Sequence, residues 1–107
     1  MPRWLAVLAV LLMPVAAQAQ EEINQLTGTI EGFECGDNCY LIVTFGDAGW
    51  LSALCVAPAC DPWNEEAVIP EELIGSDVSV VVGAADQYQG DGSFMPYVAF
   101  TTVTVLP

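Results

Sequence analysis

The sequence predicts an all-β protein, a small five-stranded Greek-key barrel with a short helix between its third and fourth strands. Three observations predict this fold. The apolar residues of most of the chain recur with a period of two, which is typical of strands. Short Gly- and Asp-rich segments between the apolar runs have the composition of turns. Helix signals, a proline followed by acidic residues, occur in a single region between the third and fourth runs.

The start of the chain has the three parts of a secretory signal peptide. Arg3 precedes an apolar run over residues 4–15, and residues 17–19, Ala-Gln-Ala, have the small side chains that a signal peptidase recognises. We expect cleavage after Ala19 and a periplasmic or secreted protein. The apolar run is shorter than the ~20 residues of a membrane-spanning helix. We therefore expect a cleaved signal peptide, not a retained membrane anchor, and no membrane partner after cleavage.

The mature chain is long enough for one small domain. Removing 19 residues from the 107 leaves 88, and a chain of that length buries only somewhat more than about 60% of its unfolded surface. We expect residues 20–25 to be a flexible lead-in and residues 26–107 to form a single barrel domain.

The first three strands follow from their apolar runs. Residues 26–31 alternate apolar and polar side chains and predict the first strand. The runs over residues 40–45 and 50–56 flank a short Gly/Asp loop, which predicts a β-hairpin.

The helical region lies over residues 61–75. Pro62 suits a first helical turn, and Pro70 begins a second short turn that Gly75 is placed to end. Because each piece is too short to be stable alone, we expect both to pack against the sheet.

The last two strands are predicted over residues 78–82 and 94–106, with a glycine-rich turn between them. The apolar residues of the final strand change parity, so Val98 and Val103 face inward together only if one extra residue lies between them. We expect a β-bulge near Thr101 and Thr102.

The element order is that of an OB-fold, a five-stranded Greek-key barrel with a helix between its third and fourth strands. Residues 28–30 opening a strand, residues 40–43 followed by a Gly/Asp turn, and residues 70–75 leading into residues 78–82 carry a further likeness. In these segments the chain resembles the small exported OB-fold proteins of Gram-negative bacteria. The resemblance implies an OB-like barrel over most of the mature chain.

Four cysteines in a short exported chain predict a disulfide framework. The predicted hairpin pairs residues whose numbers sum to about 95, which brings all four cysteines together. A nested pairing, Cys35 with Cys60 and Cys39 with Cys55, is favoured because it closes longer loops. The local pairing, Cys35 with Cys39 and Cys55 with Cys60, stays open, since the pattern alone does not fix the connectivity.

We expect these cysteines to be structural. The spacing of Cys35 and Cys39 differs from that of thioredoxin-like motifs, and no cationic side chain is available to lower a thiol pKa. A four-cysteine zinc site has suitable ligands, but an oxidising compartment favours disulfides.

The charge balance excludes several classes of function. Arg3 is the only Lys or Arg of the chain, which has no His, whereas Asp and Glu number 14. Nucleophiles activated by histidine, Schiff-base lysines and the basic grooves that bind nucleic acid are therefore excluded. We expect no catalytic residue and no nucleic-acid partner, with a carboxylate-based hydrolase as one alternative.

A calcium-binding sensor is the other alternative, because hard cations take oxygen ligands. Asp86 and Asp91 lie on either side of a glycine bend, and Asp37 precedes an asparagine. None of the three matches the EF-hand spacing, and residues 89–93 have the composition of a hairpin turn. We therefore expect no cofactor, and keep the three aspartates as calcium candidates.

Aromatic residues are numerous for this length, and Trp50, Tyr88 and Tyr97 would form a binding face if they were exposed together. The sequence therefore favours a strongly acidic, exported binding module without catalysis. Its expected partner is a basic protein or a cationic ligand, drawn in by electrostatic steering.

Overall fold

Five strands account for most of residues 25–107, the part of the chain that the computed structural model describes. They close into a barrel in the order β1-β2-β3-β5-β4. This order and the short helix between β3 and β4 confirm the predicted five-stranded, OB-like barrel. The strands are β1 (Gln25–Cys35), β2 (Cys39–Thr44), β3 (Trp50–Cys55), β4 (Asp77–Tyr88) and β5 (Phe94–Val105).

The predicted signal peptide and its cleavage after Ala19 lie outside the described residues, as do residues 20–24 of the predicted lead-in. The last residue of that lead-in, Gln25, is the first residue of β1 and pairs with Val81 of β4.

The helix α1 (Asp61–Glu66) lies between two short 3₁₀ turns, Pro58–Cys60 and Glu71–Leu73. A proline in its first turn favours its start, and Ala67 ends it in the left-handed conformation with φ 60°. The helix is held by Trp63, which is 8% exposed. Among the described residues, no helix is long and apolar enough to cross a membrane.

The core fills the inside of the barrel and follows the period of two in the sequence. Burying an aliphatic or aromatic side chain of this kind contributes roughly 1.5–3 kcal/mol. On the helix side, Trp63 packs edge to face with Phe33 of β1, with 6.3 Å between the ring centroids. The largest fully buried apolar side chains of the strands are Ile30, Leu41, Val43, Val78, Val80 and Phe100.

The predicted β-bulge in the last strand is confirmed. Val81 pairs with Thr102 but Val82 pairs with Phe100, so Thr101 is the extra residue. The bulge switches the parity of β5, which is why Val98 packs against the same core as Val103.

Beyond this bulge, β4 and β5 continue as a two-stranded ribbon, which we define as residues 82–88 and 94–98. Within the described part of the chain, β4 pairs with β1 only up to Val81, and β5 pairs with β3 only at Ala99 and Phe100. The sequence predicted that β4 ends at residue 82, because the alternation of apolar residues stops there. The ribbon therefore projects further than expected.

The two disulfides join Cys35 with Cys39 and Cys55 with Cys60. The favoured nested pairing, Cys35 with Cys60 and Cys39 with Cys55, is therefore wrong. β1 continues to Cys35 and reverses in a short turn, which places it directly opposite Cys39 with 4.0 Å between their Cα atoms. The 3₁₀ turn after β3 returns Cys60 to Cys55, 5.7 Å apart at Cα.

Candidate functional site

The side chain of Asn38 links the turn between β1 and β2 to the ribbon by hydrogen bonds. Asn38 Nδ2 donates to the carbonyl oxygen of Tyr88 (2.7 Å), and the Tyr88 N–H donates to Asn38 Oδ1 (3.0 Å). The carboxylate of Asp37 lies beside Gly90, where an added Cβ would be 2.9 Å from Asp37 Oδ2. These contacts hold the turn and the ribbon loop together at one end of the barrel.

A cavity of about 230 Å³ opens beside this junction, between the turn, the end of β3, α1 and the ribbon. One cysteine of each disulfide, Cys39 and Cys55, contributes to its wall. The lining residues are Asp37, Asn38, Cys39, Leu54, Cys55, Val56, Asn64 and Asp86.

Two of the three predicted calcium candidates line this cavity together. Asp37 comes from the β1–β2 turn and Asp86 from the ribbon, and both are exposed. Residues 25–107 contain no Lys, Arg or His. The two carboxylates therefore have no cationic side chain among the described residues to neutralise them.

The third candidate, Asp91, has a different role. Its Oδ1 accepts hydrogen bonds from the N–H of Ser93 (2.9 Å) and from Ser93 Oγ (2.5 Å). These bonds, the side-chain bond first, lower the pKa of Asp91. Asp91 thus supports the hairpin turn that the sequence predicted at residues 89–93.

The wall of the cavity also includes an amide that sequence reasoning missed. Asn64 Nδ2 donates to the carbonyl oxygen of Cys55 (2.8 Å), whereas Asn64 Oδ1 is buried and has no hydrogen-bond partner. A buried acceptor without a partner costs about 1–3 kcal/mol. No local pattern marks Asn64, because only the packing of α1 against the end of β3 brings it to the cavity.

The predicted aromatic face does not form as one surface. Trp50 is 70% exposed at the start of β3. Tyr97 pairs with Ala85 and so faces the side of the ribbon opposite to Tyr88. Tyr97 packs edge to face with Tyr40, with 6.1 Å between the ring centroids. The three residues therefore lie at separate places.

Tyr88 instead shares a ribbon face with Asp86. Asp86 pairs with Pro96 and Tyr88 with Phe94, and alternate residues of a strand point to the same side. The rings of Tyr88 and Phe94 are in contact, with 5.3 Å between their centroids. A carboxylate and an aromatic pair thus lie on one face of the ribbon, an arrangement that attracts cations.

No family model matches this chain, and no curated protein or solved structure matches it either. The fold and the site define a disulfide-bonded, OB-like barrel with an acidic cavity at one end.

Proposed function

We propose that this protein is an exported binding module without catalysis, whose partner is a basic protein or another cationic ligand. One observation carries the proposal. In residues 25–107 every charged side chain is acidic, and every one of them is exposed. Because no cation of this part of the chain offsets these charges, they repel one another and attract a cationic partner.

The side-chain chemistry supports binding more than turnover. The chain has no His, and its only base is Arg3. No cysteine of residues 25–107 is a free thiol. A general base or a nucleophile would therefore have to be a carboxylate or a hydroxyl group, acting without a histidine, a lysine or a free thiol. A binding surface needs none of them, and requires only complementary charge and shape.

Calcium is less well supported as the ligand. In the described part of the chain, no three His, Cys, Asp or Glu side chains form a group able to hold a metal ion. Asp91, one of the three candidates, is engaged by Ser93.

The disulfides support the proposed location. The chain has two of them, and disulfides persist in the periplasm or outside the cell. They agree with the signal peptide expected over residues 1–19.

The proposal is tested by capturing partners on the immobilised mature protein. An envelope extract is loaded at low salt and eluted by raising the salt concentration, and the eluted proteins are identified. The control column carries a variant in which Glu65, Glu66, Glu71 and Glu72 are replaced by Gln, and Asp37 and Asp86 by Asn.

We expect basic proteins that elute with salt and are depleted on the control column, because screening weakens attraction between opposite charges. Elution that does not depend on salt, or eluted proteins that are mainly acidic, would contradict the proposal.

A further inference from the structure

We propose that residues 20–24, the first residues of the chain after the expected cleavage behind Ala19, extend β1 along the edge of the ribbon and place the new N-terminal ammonium beside Asp86. The inference goes beyond the proposed function and does not depend on it. It depends on the expected cleavage site, on the register between β1 and β4, and on the one carboxylate that lies at the end of this register.

The edge of β4 that faces β1 continues past the last described pair of the two strands. Gln25 pairs with Val81, whereas residues 82–88 pair only with β5 in the described part of the chain. A strand edge of this kind presents N–H and C=O groups to which a further strand can bond.

Hydrogen bonds at the start of β4 show which of its residues point to this edge. The N–H of Ile30 in β1 donates to the carbonyl oxygen of Ser76 (2.9 Å). The N–H of Leu106, directly after β5, donates to the carbonyl oxygen of Asp77 (2.9 Å). Because the direction of the backbone groups alternates along a strand, even-numbered residues of β4 bond toward β1 and odd-numbered residues bond toward β5.

The far end of the ribbon keeps this alternation. The N–H and the C=O of Tyr88 both bond to the side chain of Asn38. Pro96, which has no N–H, pairs with Asp86, as is expected where the two residues exchange no backbone hydrogen bonds. The backbone groups of Ala84 and Asp86 therefore point to the same edge as those of Tyr88.

The register brings the residues that precede β1 to this edge. The residue numbers of each β1–β4 pair add up to 106. A strand that continues without a bulge places Glu22 opposite Ala84 and Gln20 opposite Asp86. The next position that points to the edge, Tyr88, is already bonded to a side chain. Residues 20–24 therefore have the length of the edge that is left.

The charges favour the same register. Cleavage creates an α-ammonium at Gln20, and because residues 20–107 contain no Lys, Arg or His, it is the one cationic group of the mature chain. The register places this ammonium opposite Asp86, and ammonium–carboxylate hydrogen bonds are stronger than neutral ones. Glu21 and Glu22 fall opposite alanines of the ribbon, so neither faces a like charge directly across the pair.

Amide hydrogen exchange of the mature protein, followed by NMR, tests the strand. We expect the amides of Ala84 and Asp86 to be protected. Glu22→Pro should speed their exchange at least about tenfold, because proline removes the N–H that bonds to Ala84 and puts ring atoms in its place. The control, Glu21→Pro, removes the same charge and an N–H that points away from β4, and should change the exchange less than about threefold.

Acetylation of the N-terminus tests the ion pair. Because residues 20–107 contain no lysine, an amine-selective reagent modifies only the α-amine of the mature chain. Loss of this charge should speed the exchange of Ala84 about two- to fivefold. Asp86→Asn should have the same effect, and acetylation of that variant should add nothing further. The control, Asp47→Asn, removes an exposed carboxylate from the β2–β3 loop and should leave the exchange of Ala84 unchanged.

Several outcomes would overturn the proposal. Exchange of Ala84 at the unprotected rate, or equal effects of the two proline variants, would exclude the strand. No response to acetylation would exclude the ion pair with Asp86. Protection that grows with protein concentration would identify a second copy of the chain at this edge. If a variant does not fold, close Hα contacts between Ile23 and Gly83 in the wild type decide the question alone.

The N-terminus of the exported protein is checked separately, by intact mass and N-terminal sequencing. We expect Gln20 as the first residue, with a free amine. A different first residue would move the ammonium away from Asp86, and cyclisation of Gln20 with loss of ammonia would remove it, so either result overturns the proposal. Salt-dependent capture of basic partners does not involve this ion pair, so the proposed function stands or fails independently.

Discussion

Gly28 lies in β1 next to the point where this strand pairs with both of its neighbours, β2 and β4. It pairs with Val78 of β4, while the next residue along the chain pairs with both β4 and β2. A Cβ at Gly28 would overlap the carbonyl oxygen of Thr44 and lie 2.7 Å from a methyl group of Val43. The absence of a side chain therefore allows β2 to approach and the barrel to close.

We expect Gly28→Ala to lower the free energy of unfolding by about 1–3 kcal/mol, since overpacking of a well-packed site costs that much. The backbone atom it meets cannot move without disturbing the strand pairing. Urea unfolding followed by circular dichroism measures the change. The matched control is Gly36→Ala, because a Cβ at Gly36 meets nothing within 4 Å. Equal stability of the two variants would contradict this account of Gly28.

The acidic residues of the cavity show how much of a candidate site can be predicted from single residues of the sequence. Asp37 and Asp86 stood out because each lies near a turn in a chain whose only base is Arg3. Their meeting at one cavity was not predictable, because it depends on the ribbon and on the bonds that Asn38 makes to Tyr88. Asn64 gave no signal, since its importance comes only from an unpaired oxygen in the folded protein.

The secondary-structure elements were predictable in number and type, and less so in length. The period of two located all five strands, and the change of parity located the bulge near Thr101 and Thr102. The end of β1 was misplaced because a register shift between Ile30 and Gly32 interrupts its alternation, and the end of β4 because residues 83–85 are glycine and alanine. The disulfide pairing was wrong for a separate reason: the nested pairing was favoured because it closes longer loops, whereas β1 continues to Cys35 and places it opposite Cys39.

The two disulfides should contribute unequally to stability. Replacing Cys35 and Cys39 by Ala should lower the free energy of unfolding by about 2 kcal/mol, the cost of opening a short loop. Replacing Cys55 and Cys60 should cost more, about 3–5 kcal/mol, because these side chains are 2% and 0% exposed and their loss also leaves a cavity. Urea unfolding of both double variants measures the difference.

The pairing itself is checked by mass spectrometry of proteolytic fragments without reductant. A cross-linked fragment pair joining Cys39 to Cys55 would contradict the pairing, and equal stability of the two variants would contradict the role of burial.

The whole molecule carries charge of one sign on a well-packed barrel. The full chain has a net charge of −13, and in residues 25–107 every carboxylate is at the surface. From this composition the sequence predicts neither histidine-dependent catalysis nor nucleic-acid binding. The composition was not enough to locate a site, because the acidic residues are spread along the chain and only the fold brings two of them to a cavity.

Like charges that repel one another should make stability depend on salt. We expect sodium chloride to raise the melting midpoint of the mature protein. The reason is that added salt screens surface charges. A gain of about 1 kcal/mol in the free energy of unfolding corresponds to roughly 4–8 °C for a domain of this size. Potassium chloride should have the same effect, which separates screening from the binding of one particular ion. A midpoint that falls or stays constant as salt rises would show that repulsion is not a significant term.

The affinity for a lysine-rich peptide as a function of salt tests the central claim, that this protein binds cationic partners through its acidic surface. Isothermal titration calorimetry on the mature protein, with a glutamate-rich peptide as control, gives the dissociation constant at two salt concentrations. We expect binding of the lysine-rich peptide alone, weakened at least about tenfold between about 20 mM and 200 mM sodium chloride. The absence of binding at the lower concentration, or an affinity that salt leaves unchanged, would contradict it.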